Sequence, residues 1–326
     1  IVHSISNNVL GEDVGISINT EDYDIEQILA SSEDSSFLYS GISFGNGVFT
    51  STRKPMRTQT KRGLFSVNDN KRQYQQLLSY ASHAAQKILM RTDYVPSNRM
   101  SKFIHSEAKK IAGIVTLNQK RDFFEAKAVY HLMDLIVDQW PEISISGLSG
   151  IQLMKQRKGL WQELMTEWPM GQYANFAVDF LKLNSLLDGN VLEVGAGVGN
   201  ASRLIYQDIS GLYIRTDQSQ FLLDKYQYSA NQEPYDFNSP GKWSDLDTIF
   251  SVNALHCAAD KKASVFHLFN MLKQGGYLVL AEGSPITRTL PGQRVPWALN
   301  FAFGLFEGWY DVGGFLSRSE WLNYFK

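Results

Sequence analysis

The stretch VLEVGAGVG, residues 191–199, decides how the rest of this chain is interpreted. Residues 191–194 are apolar apart from Glu193, which is typical of a short buried strand. Gly195, Gly197 and Gly199 follow at once, and a helical pattern begins at residue 201. The run reads E-x-G-x-G-x-G, whereas dinucleotide-binding folds show G-x-G-x-x-G. A strand, a glycine turn and a helix start in this order predict a turn whose backbone N–H groups approach a ligand closely.

Short apolar strands alternate with helices in the second half of the chain. The clear strands are predicted at residues 191–194, 212–217, 247–252 and 277–282, with a weaker one before Asp236. Helices are predicted between them, at residues 175–187, 221–228 and 261–272, the last capped by Gly275-Gly276. Repeated strand–helix units of this kind predict an α/β fold with a doubly wound parallel sheet. In such folds, ligands bind outside the carboxyl ends of the strands.

The sequence pattern of the first half differs from that of the second half. Residues 1–50 hold eight Asp and Glu but no Lys or Arg, with a possible hairpin turn at residues 45–47. Apolar residues then recur at helical spacing. The predicted helices are a first one from about residue 71 and further ones at 98–111, 121–139 and 147–168. We therefore expect a mostly helical domain over residues 1–147 and an α/β core over residues 148–326.

Composition narrows the class of protein. The 326 residues are 44% hydrophobic and 20% charged, with a net charge of −2, which argues against a general nucleic-acid binder. The single cysteine, Cys257, excludes an internal disulfide and a CxxC zinc site. There is neither a signal peptide nor an apolar run of the ~20 residues that span a bilayer. A cytoplasmic, reducing compartment is expected. Because the sequence begins without methionine, we also expect a segment of a longer chain.

Polar residues at the predicted strand ends are candidates for ligand binding. Asp217 lies 22 positions after Gly195, where an acidic residue at the end of the second strand takes ribose hydroxyls. The alternative is an ordinary solvated loop carboxylate. Asp236 and Phe237 follow the weak strand and could meet an adenine. Glu193 is a carboxylate within an apolar strand, which is unfavourable unless it receives hydrogen bonds.

His256 and Glu282 are the candidates for proton chemistry. His256 follows the strand at residues 247–252, and Glu282 ends the next strand. Both side chains are therefore expected at the ligand edge of the sheet. A carboxylate that fixes the tautomer and orientation of a histidine is the arrangement of a general base. The alternative is a satisfied loop histidine beside a solvated strand end.

Several segments resemble the carbon-methyltransferase domains of modular polyketide synthases, and a branch in loading modules, including the apratoxin type, is the nearest match. The resemblance covers roughly residues 150–326. It lies in TDQSQFLL at 216–223, SVNALHCAAD at 251–260, LKQGGYLVLAEG at 272–283 and GLFEGWY at 304–310. The run VLEVGAGVG at 191–199 resembles the first motif of class I methyltransferases more generally. The chain departs from that pattern at Gln218, Cys257 and Gln274, where the family usually has Ile, Ala and Pro. None of these departures removes a reacting group.

The resemblance implies a class I, Rossmann-like fold dependent on S-adenosylmethionine (SAM), with the helical N-terminal part as a lid. Such a sheet normally closes with two further strands, which the sequence pattern does not reveal. In this family the dyad corresponds to His256 and Glu282, and no metal ligand set is evident. The residues expected to hold SAM are Glu193, Gly195, Ala196, Gly197, Gly199, Asp217, Gln218, Asp236, Phe237 and Asn253.

The reaction implied is methylation of the α-carbon of an acyl thioester on the phosphopantetheine arm of an acyl carrier protein, with S-adenosylhomocysteine (SAH) as product. The enolate could arise by loss of an α-proton to His256 or by decarboxylation of a malonyl-type substrate, and the sequence leaves both open. Oxygen methylation and an inactive structural domain within the megasynthase are the alternatives; neither nucleic acid nor membrane is an expected partner. Residues 51–180 carry 19 Lys and Arg against 11 Asp and Glu, so the lid is expected to dock the carrier protein. The candidate docking residues are Lys155, Arg157 and Lys158.

Overall fold

The computed structural model describes most of the chain from residue 67 onward and a few segments before it. The described residues are 2–7, 14–16, 41–45, 48–52, 67–113, 127–148, 150, 152–153, 157, 159–168, 170–228, 230–283, 286–290, 293–296, 299–306, 316 and 318–324. Among these residues, none of the helices combines the length and the apolarity that crossing a bilayer requires.

The centre of the molecule is a seven-stranded sheet. In chain order its strands are β1 (Val2–Asn7), β2 (Val14–Ile16), β5 (Val191–Val194), β6 (Tyr213–Asp217), β7 (Asn231–Pro234), β8 (Leu246–Val252) and β9 (Leu272–Gly283). Their spatial order is β2-β1-β9-β8-β5-β6-β7. All neighbours are parallel except β1 and β2. The carboxyl ends of β5, β6, β8 and β9 therefore meet at one edge of the sheet.

Helices cover both faces of this sheet. The helices of the α/β part are α6 (Met170–Leu183), α7 (Ser202–Ile205), α8 (Gln220–Lys225), α9 (Lys261–Phe269) and α11 (Arg318–Tyr324). Apolar residues of α6 and α7 pack against one face of the central strands, and those of α9 and α11 pack against the other. Two layers of helix on a parallel sheet confirm the predicted doubly wound α/β fold.

A second hydrophobic core belongs to a helical part. Its helices are α1 (Val67–Met90), α2 (Arg99–Ile111), α3 (Lys127–Asp138), α4 (Trp140–Ile145), α5 (Leu160–Thr166) and α10 (Asn300–Phe303). Helix α10 comes from far along the chain, yet Leu299, Phe301 and Leu305 are buried within this core. Asn300 Nδ2 also donates to Glu107 Oε2 of α2 at 2.6 Å. The helical part is thus built from two separate stretches of sequence.

The described residues also form two β-hairpins outside the central sheet. Strands β3 (Gly41–Gly45) and β4 (Val48–Thr52) pair antiparallel with Gly45 opposite Val48, as the turn signal at residues 45–47 predicts. Strands β10 (Ile286–Leu290) and β11 (Gln293–Pro296) form the second hairpin, between β9 and α10.

Some predicted boundaries are wrong. One continuous helix over 147–168 is not formed, because Gly147 and Gly159 have φ of 70° and 92°, which a right-handed helix does not allow. Among the described residues of this range, 150 and 152–153 are helical, and α5 begins after Gly159. The helix expected at 121–139 is observed as α3, which ends at Asp138, while residues 121–126 lie outside the described residues. Pro141 lies in the first turn of the next helix, α4. Gly275-Gly276 do not cap α9, because β9 already begins at Leu272.

The edge of the sheet beyond β9 also differs from expectation. The sequence pattern reveals no closing strands after residue 282. In the structure β1 pairs with β9, and β2 pairs with β1, so N-terminal strands occupy that edge. Residues 2–7 and 14–16 thus lie in the α/β sheet, although the division at residue 147 assigned them to the helical domain.

Candidate active site

The glycine turn after β5 is held in a conformation that suits glycine. Gly195, Gly197 and Gly199 have φ of 69°, 53° and 76°, in the left-handed region. A Cβ on Gly195 would collide with the Cβ of Ala254, and one on Gly199 with the Tyr228 ring. A Cβ on Gly197 would have no described atom closer than the Gly195 carbonyl oxygen at 4.0 Å. The turn is therefore packed on two sides and open at Gly197.

Asp217, at the end of β6, faces this turn. Its Oδ2 accepts the Gly197 N–H at 2.8 Å, and its Oδ1 accepts the Ser219 N–H, also at 2.8 Å. Each carboxylate oxygen can accept a second hydrogen bond, so both could still receive ribose hydroxyls. Asp217, the residue predicted to bind the ribose hydroxyls, thus lies beside Gly197, where the turn is open.

The next predicted contacts follow β7. Asp236 Oδ1 accepts the backbone N–H and the side-chain amide of Asn238, at 2.9 and 2.8 Å, which closes a small turn. Phe237 is partly buried against the core on the α9 side of the sheet. Since β7 is parallel to β6, both residues lie at the same edge as Asp217.

Glu193 is buried, but its carboxylate points toward α7. Its Oε2 accepts the Ser202 hydroxyl at 2.6 Å and the Tyr213 hydroxyl. Burial raises the pKa of Glu193, while these hydrogen bonds and the Arg215 charge act to lower it. Glu193 therefore contacts the base of the glycine turn through Ser202 and Arg215.

His256 and Glu282 form a buried pair at the carboxyl ends of β8 and β9. Their side chains are 5% and 4% exposed, and His256 Nδ1 lies 2.7 Å from Glu282 Oε2. The other oxygen, Oε1, accepts the backbone N–H groups of Ala254 and Leu255 at 3.1 and 2.7 Å. Glu282 thus fixes both the imidazole and the 3-10 turn (Leu255–Cys257) that carries it.

The electrostatics of this pair favour a charged histidine. Burial acts to lower the pKa of His256, but the Glu282 carboxylate and the Cys257 side chain outweigh it and raise the pKa to about 10. The direction of this pKa shift favours the imidazolium form of His256 at neutral pH. Since Nδ1 faces Glu282, a proton exchanged with a substrate would pass through Nε2.

Asn253 joins the two halves of the site. It has a φ of 52°, and its N–H donates to the Ala281 carbonyl of β9 at 2.7 Å. Its side-chain Oδ1 is buried and accepts no hydrogen bond from the described residues. A strained residue with an unsatisfied acceptor at a strand end is typical of a ligand site.

Sequence reasoning missed two charged residues near the site. Arg215 is fully buried in β6, where it lies opposite Glu193 of β5. Lys261, the first residue of α9, is also buried, and its Nζ donates to the Ala258 carbonyl at 3.3 Å. Burial lowers the pKa of Lys261, against the opposing influence of Cys257 and Glu282. Arg215 could have been found from the sequence, because it and Glu193 carry opposite charges within two otherwise apolar strands. The sequence of α9 contains no comparable signal that Lys261 is buried.

No metal site is evident in the described part of the chain. Among those residues, no three His, Cys, Asp or Glu side chains lie together as metal ligands would.

The strand order and the two layers of helices are those of a class I methyltransferase fold. The carbon-methyltransferase domain of the citrinin polyketide synthase shares it, with a TM-score of 0.57 and 17% identity over 78% of this chain and 81% of that one. CurJ carbon methyltransferase gives a TM-score of 0.58 and 17% identity, covering 79% and 84%. The trans-methyltransferase CalH, solved with SAH, gives 0.57 and 14%, covering 77% and 83%. At identities this low, the comparisons establish a shared fold and nothing more.

Sequence comparison gives polyketide synthases as relatives. Reducing polyketide synthase ppsB of Aspergillus oryzae is 30% identical over 154 residues, which are 40% of this chain and 6% of the relative. Lovastatin nonaketide synthase mokA of Monascus pilosus is 29% identical over 138 residues, 37% of this chain and 4% of the relative. The matched part of the chain thus spans less than a tenth of the length of these relatives. No protein-family model matches it. The resemblance to methyltransferase domains of polyketide synthases is confirmed as a similarity.

Proposed function

We propose that this chain is a SAM-dependent methyltransferase of polyketide biosynthesis that methylates the α-carbon of an acyl thioester on an acyl carrier protein. One observation carries the proposal. The glycine turn contacts Ala254, two residues before His256, so the expected methyl-donor site adjoins the buried His256–Glu282 pair. The similarity to polyketide synthases supports the substrate class.

The residues present fit SAM. Gly197 opens on space that a side chain would fill, the Asp217 carboxylate lies beside it, and Asn253 Oδ1 is a buried acceptor. These groups would hold the donor, with Asp236 and Phe237 further along the same edge. When bound, SAM supplies an electrophilic methyl group, and SAH is the product.

His256 would handle the proton of the substrate. In its neutral form it would take the α-proton at Nε2 and leave an enolate, whose carbon is the nucleophile. In its charged form it would donate a hydrogen bond to the enolate oxygen left by decarboxylation. Glu282 holds the ring in place in both cases, through Nδ1. The α-proton and decarboxylative routes are therefore distinguished by the charge of His256.

Intact-mass spectrometry tests the proposal. Carrier proteins loaded with malonyl or β-ketoacyl groups are incubated with the protein and SAM. We expect a mass gain of one methylene unit per transfer, combined with the loss of CO2 where a malonyl group is decarboxylated. NMR of the released product should place the methyl on carbon; a methyl on oxygen would replace the proposal with O-methylation. His256→Gln should lose turnover, whereas His267→Gln on α9 should keep it. A folded protein that binds neither SAM nor SAH would be a structural domain, contrary to the proposal.

A further inference from the structure

We propose that Arg215 is a positioning residue of the methyl-donor site, which locks Gly197 in its bound conformation without touching the ligand. The inference rests on the proposed function in taking SAM as the ligand of the glycine turn. Arg215 is fully buried in β6, two residues before Asp217.

Arg215 and Asp217 hold Gly197 from both sides. Arg215 Nη2 donates to the Gly197 carbonyl at 3.0 Å, and Asp217 Oδ2 accepts the Gly197 N–H at 2.8 Å. These groups belong to the two peptide planes that flank the Cα of Gly197. Fixing both planes fixes φ and ψ of a residue that otherwise has more backbone freedom than any other. Hydrogen bonds to charged groups suit this task because they are stronger than neutral ones.

The remaining guanidinium donors keep Arg215 itself in place. Nε donates to Ser202 Oγ at 3.0 Å, and Nη1 donates to the Tyr226 carbonyl at 2.5 Å and to Gln232 Oε1 at 3.4 Å. Ser202 in turn donates to Glu193 at 2.6 Å, so its hydroxyl links the guanidinium to the buried carboxyl group of Glu193. Lysine has no planar fork and cannot make these bonds in the same geometry.

The guanidinium also orders the outer side of the turn. Its carbon lies 5.4 Å from the centre of the Tyr228 ring, within the range of a cation–π contact. The same ring packs against Gly199, the last glycine of the turn. Arg215 therefore contacts the turn directly at Gly197 and indirectly at Gly199.

A role in stability alone does not explain this arrangement. Replacing a buried ion pair with apolar or neutral groups is often neutral or stabilising, whereas removing one partner alone is strongly destabilising. The test therefore uses the double variant Arg215→Met/Glu193→Gln. Its reference is Glu193→Gln, and melting temperatures first establish that both variants remain folded. Arg215→Lys is the conservative variant, and Arg203→Met on the exposed face of α7 is the matched control.

Two measurements decide the matter. Relative to Glu193→Gln, the double variant should bind SAH roughly tenfold more weakly by calorimetry. It should show a raised KM for SAM, with kcat and the KM for acyl carrier protein unchanged. The SAH affinity and the KM for SAM of Arg215→Lys should lie between those of Glu193→Gln and the double variant. Arg203→Met should match the unmodified protein in both quantities. Without ligand, amide hydrogen exchange in residues 195–199 should be faster in the double variant only.

Either of two results would overturn the inference. One is unchanged exchange in the turn of a folded double variant, and the other is unchanged SAH affinity together with a lower kcat. Failure of the proposed function has a separate signature, because the unmodified protein would then bind no SAH. The hydrogen-exchange comparison needs no ligand and would still decide the role of Arg215.

Discussion

At the scale of single residues, the protonation of His256 decides which chemistry the site performs. With the pKa raised to about 10, the charged imidazolium is the favoured form of His256 at pH 7. A general base needs that neutral form, whereas a group that stabilises an enolate oxygen needs the charged one. The two routes to the enolate therefore have opposite pH dependence.

For an α-protonated β-ketoacyl substrate, we expect kcat to rise with pH up to about 10, because deprotonation of His256 makes the base available. For a decarboxylating malonyl substrate, kcat should instead fall as pH passes through that value. Glu282→Gln removes the carboxylate that raises the pKa, so the midpoint should move to lower pH with either substrate. A profile with no midpoint assignable to His256, unchanged in His256→Gln, would contradict its proton-handling role.

Melting temperatures at each pH serve as the control. The pKa of His256 is higher in the folded protein than its ordinary 6.5, so protonation stabilises the fold. That stabilisation is fully present below pH 6.5 and is lost as pH rises through about 10. The difference between the unmodified protein and His256→Gln isolates this contribution from other titrating groups. Rates count only where the protein remains folded.

At the scale of elements, the glycine turn is the part whose geometry is most demanding. Gly197→Ala adds a methyl group on the open side of the turn, where the nearest described atom is the Gly195 carbonyl oxygen at 4.0 Å. We expect SAH affinity to fall by at least roughly tenfold, since the methyl group would occupy space that the ligand needs. Calorimetry with SAH measures this directly.

Gly275→Ala is the matched control for Gly197→Ala. Gly275 has a φ of 79°, and a Cβ there would meet nothing within 4 Å among the described atoms. Both variants thus carry a left-handed non-glycine residue, at about 1–2 kcal/mol each. Both should lose similar melting temperature, and only Gly197→Ala should lose SAH affinity. Equal affinity in the two variants would place the ligand away from the turn.

The elements also show what sequence can predict. Strands β5, β6, β8 and β9 each contain a short stretch rich in apolar residues, so their places and the α/β fold followed from the pattern. The contact of His256 with Glu282 followed too, because parallel strands bring their carboxyl ends together. The prediction of one continuous helix over 147–168 was wrong, because apolar spacing does not reveal that Gly147 and Gly159 adopt positive φ. Contacts between distant segments, such as that of Arg215 with Gly197, depend on side-chain direction, which spacing alone does not give.

At the scale of the whole molecule, the helical part is connected to the site from two directions. Strand β9, which carries Glu282, continues through the β10–β11 hairpin into α10, whose neighbours Leu299 and Leu305 lie in the helical core. On the other side, Tyr226 donates its hydroxyl to Gln162 of α5 at 2.8 Å, and Asn200 donates to the Met165 carbonyl. A single boundary at residue 147 could not anticipate this, since apolar pattern does not show that residues 299–306 return to the earlier helices.

The docking of a carrier protein belongs to this scale, and the structure sharpens its test. Of the three predicted docking residues, Arg157 lies 2.7 Å from Glu163 and also contacts His131, so its charge is already engaged. Lys155 and Lys158 lie outside the described residues. Reversing Arg157 would break an existing ion pair and confuse the result. The informative variant is therefore Lys155→Glu/Lys158→Glu.

We expect this double variant to lower kcat/KM for carrier-bound substrate at low salt while leaving SAH affinity and turnover of a pantetheine analogue unchanged. The reason is that surface charge steers the encounter of two proteins, and screening shortens its reach to ~10 Å at 0.1 M salt. The difference from the unmodified protein should therefore shrink as salt is added. Lys87→Glu/Lys109→Glu, at exposed positions on α1 and α2, makes the same change in net charge elsewhere on the helical part. If both double variants slow the carrier-bound reaction equally, net charge rather than a docking surface accounts for the effect. If neither slows it at low salt, the excess of positive charge in residues 51–180 is an ordinary solvated surface.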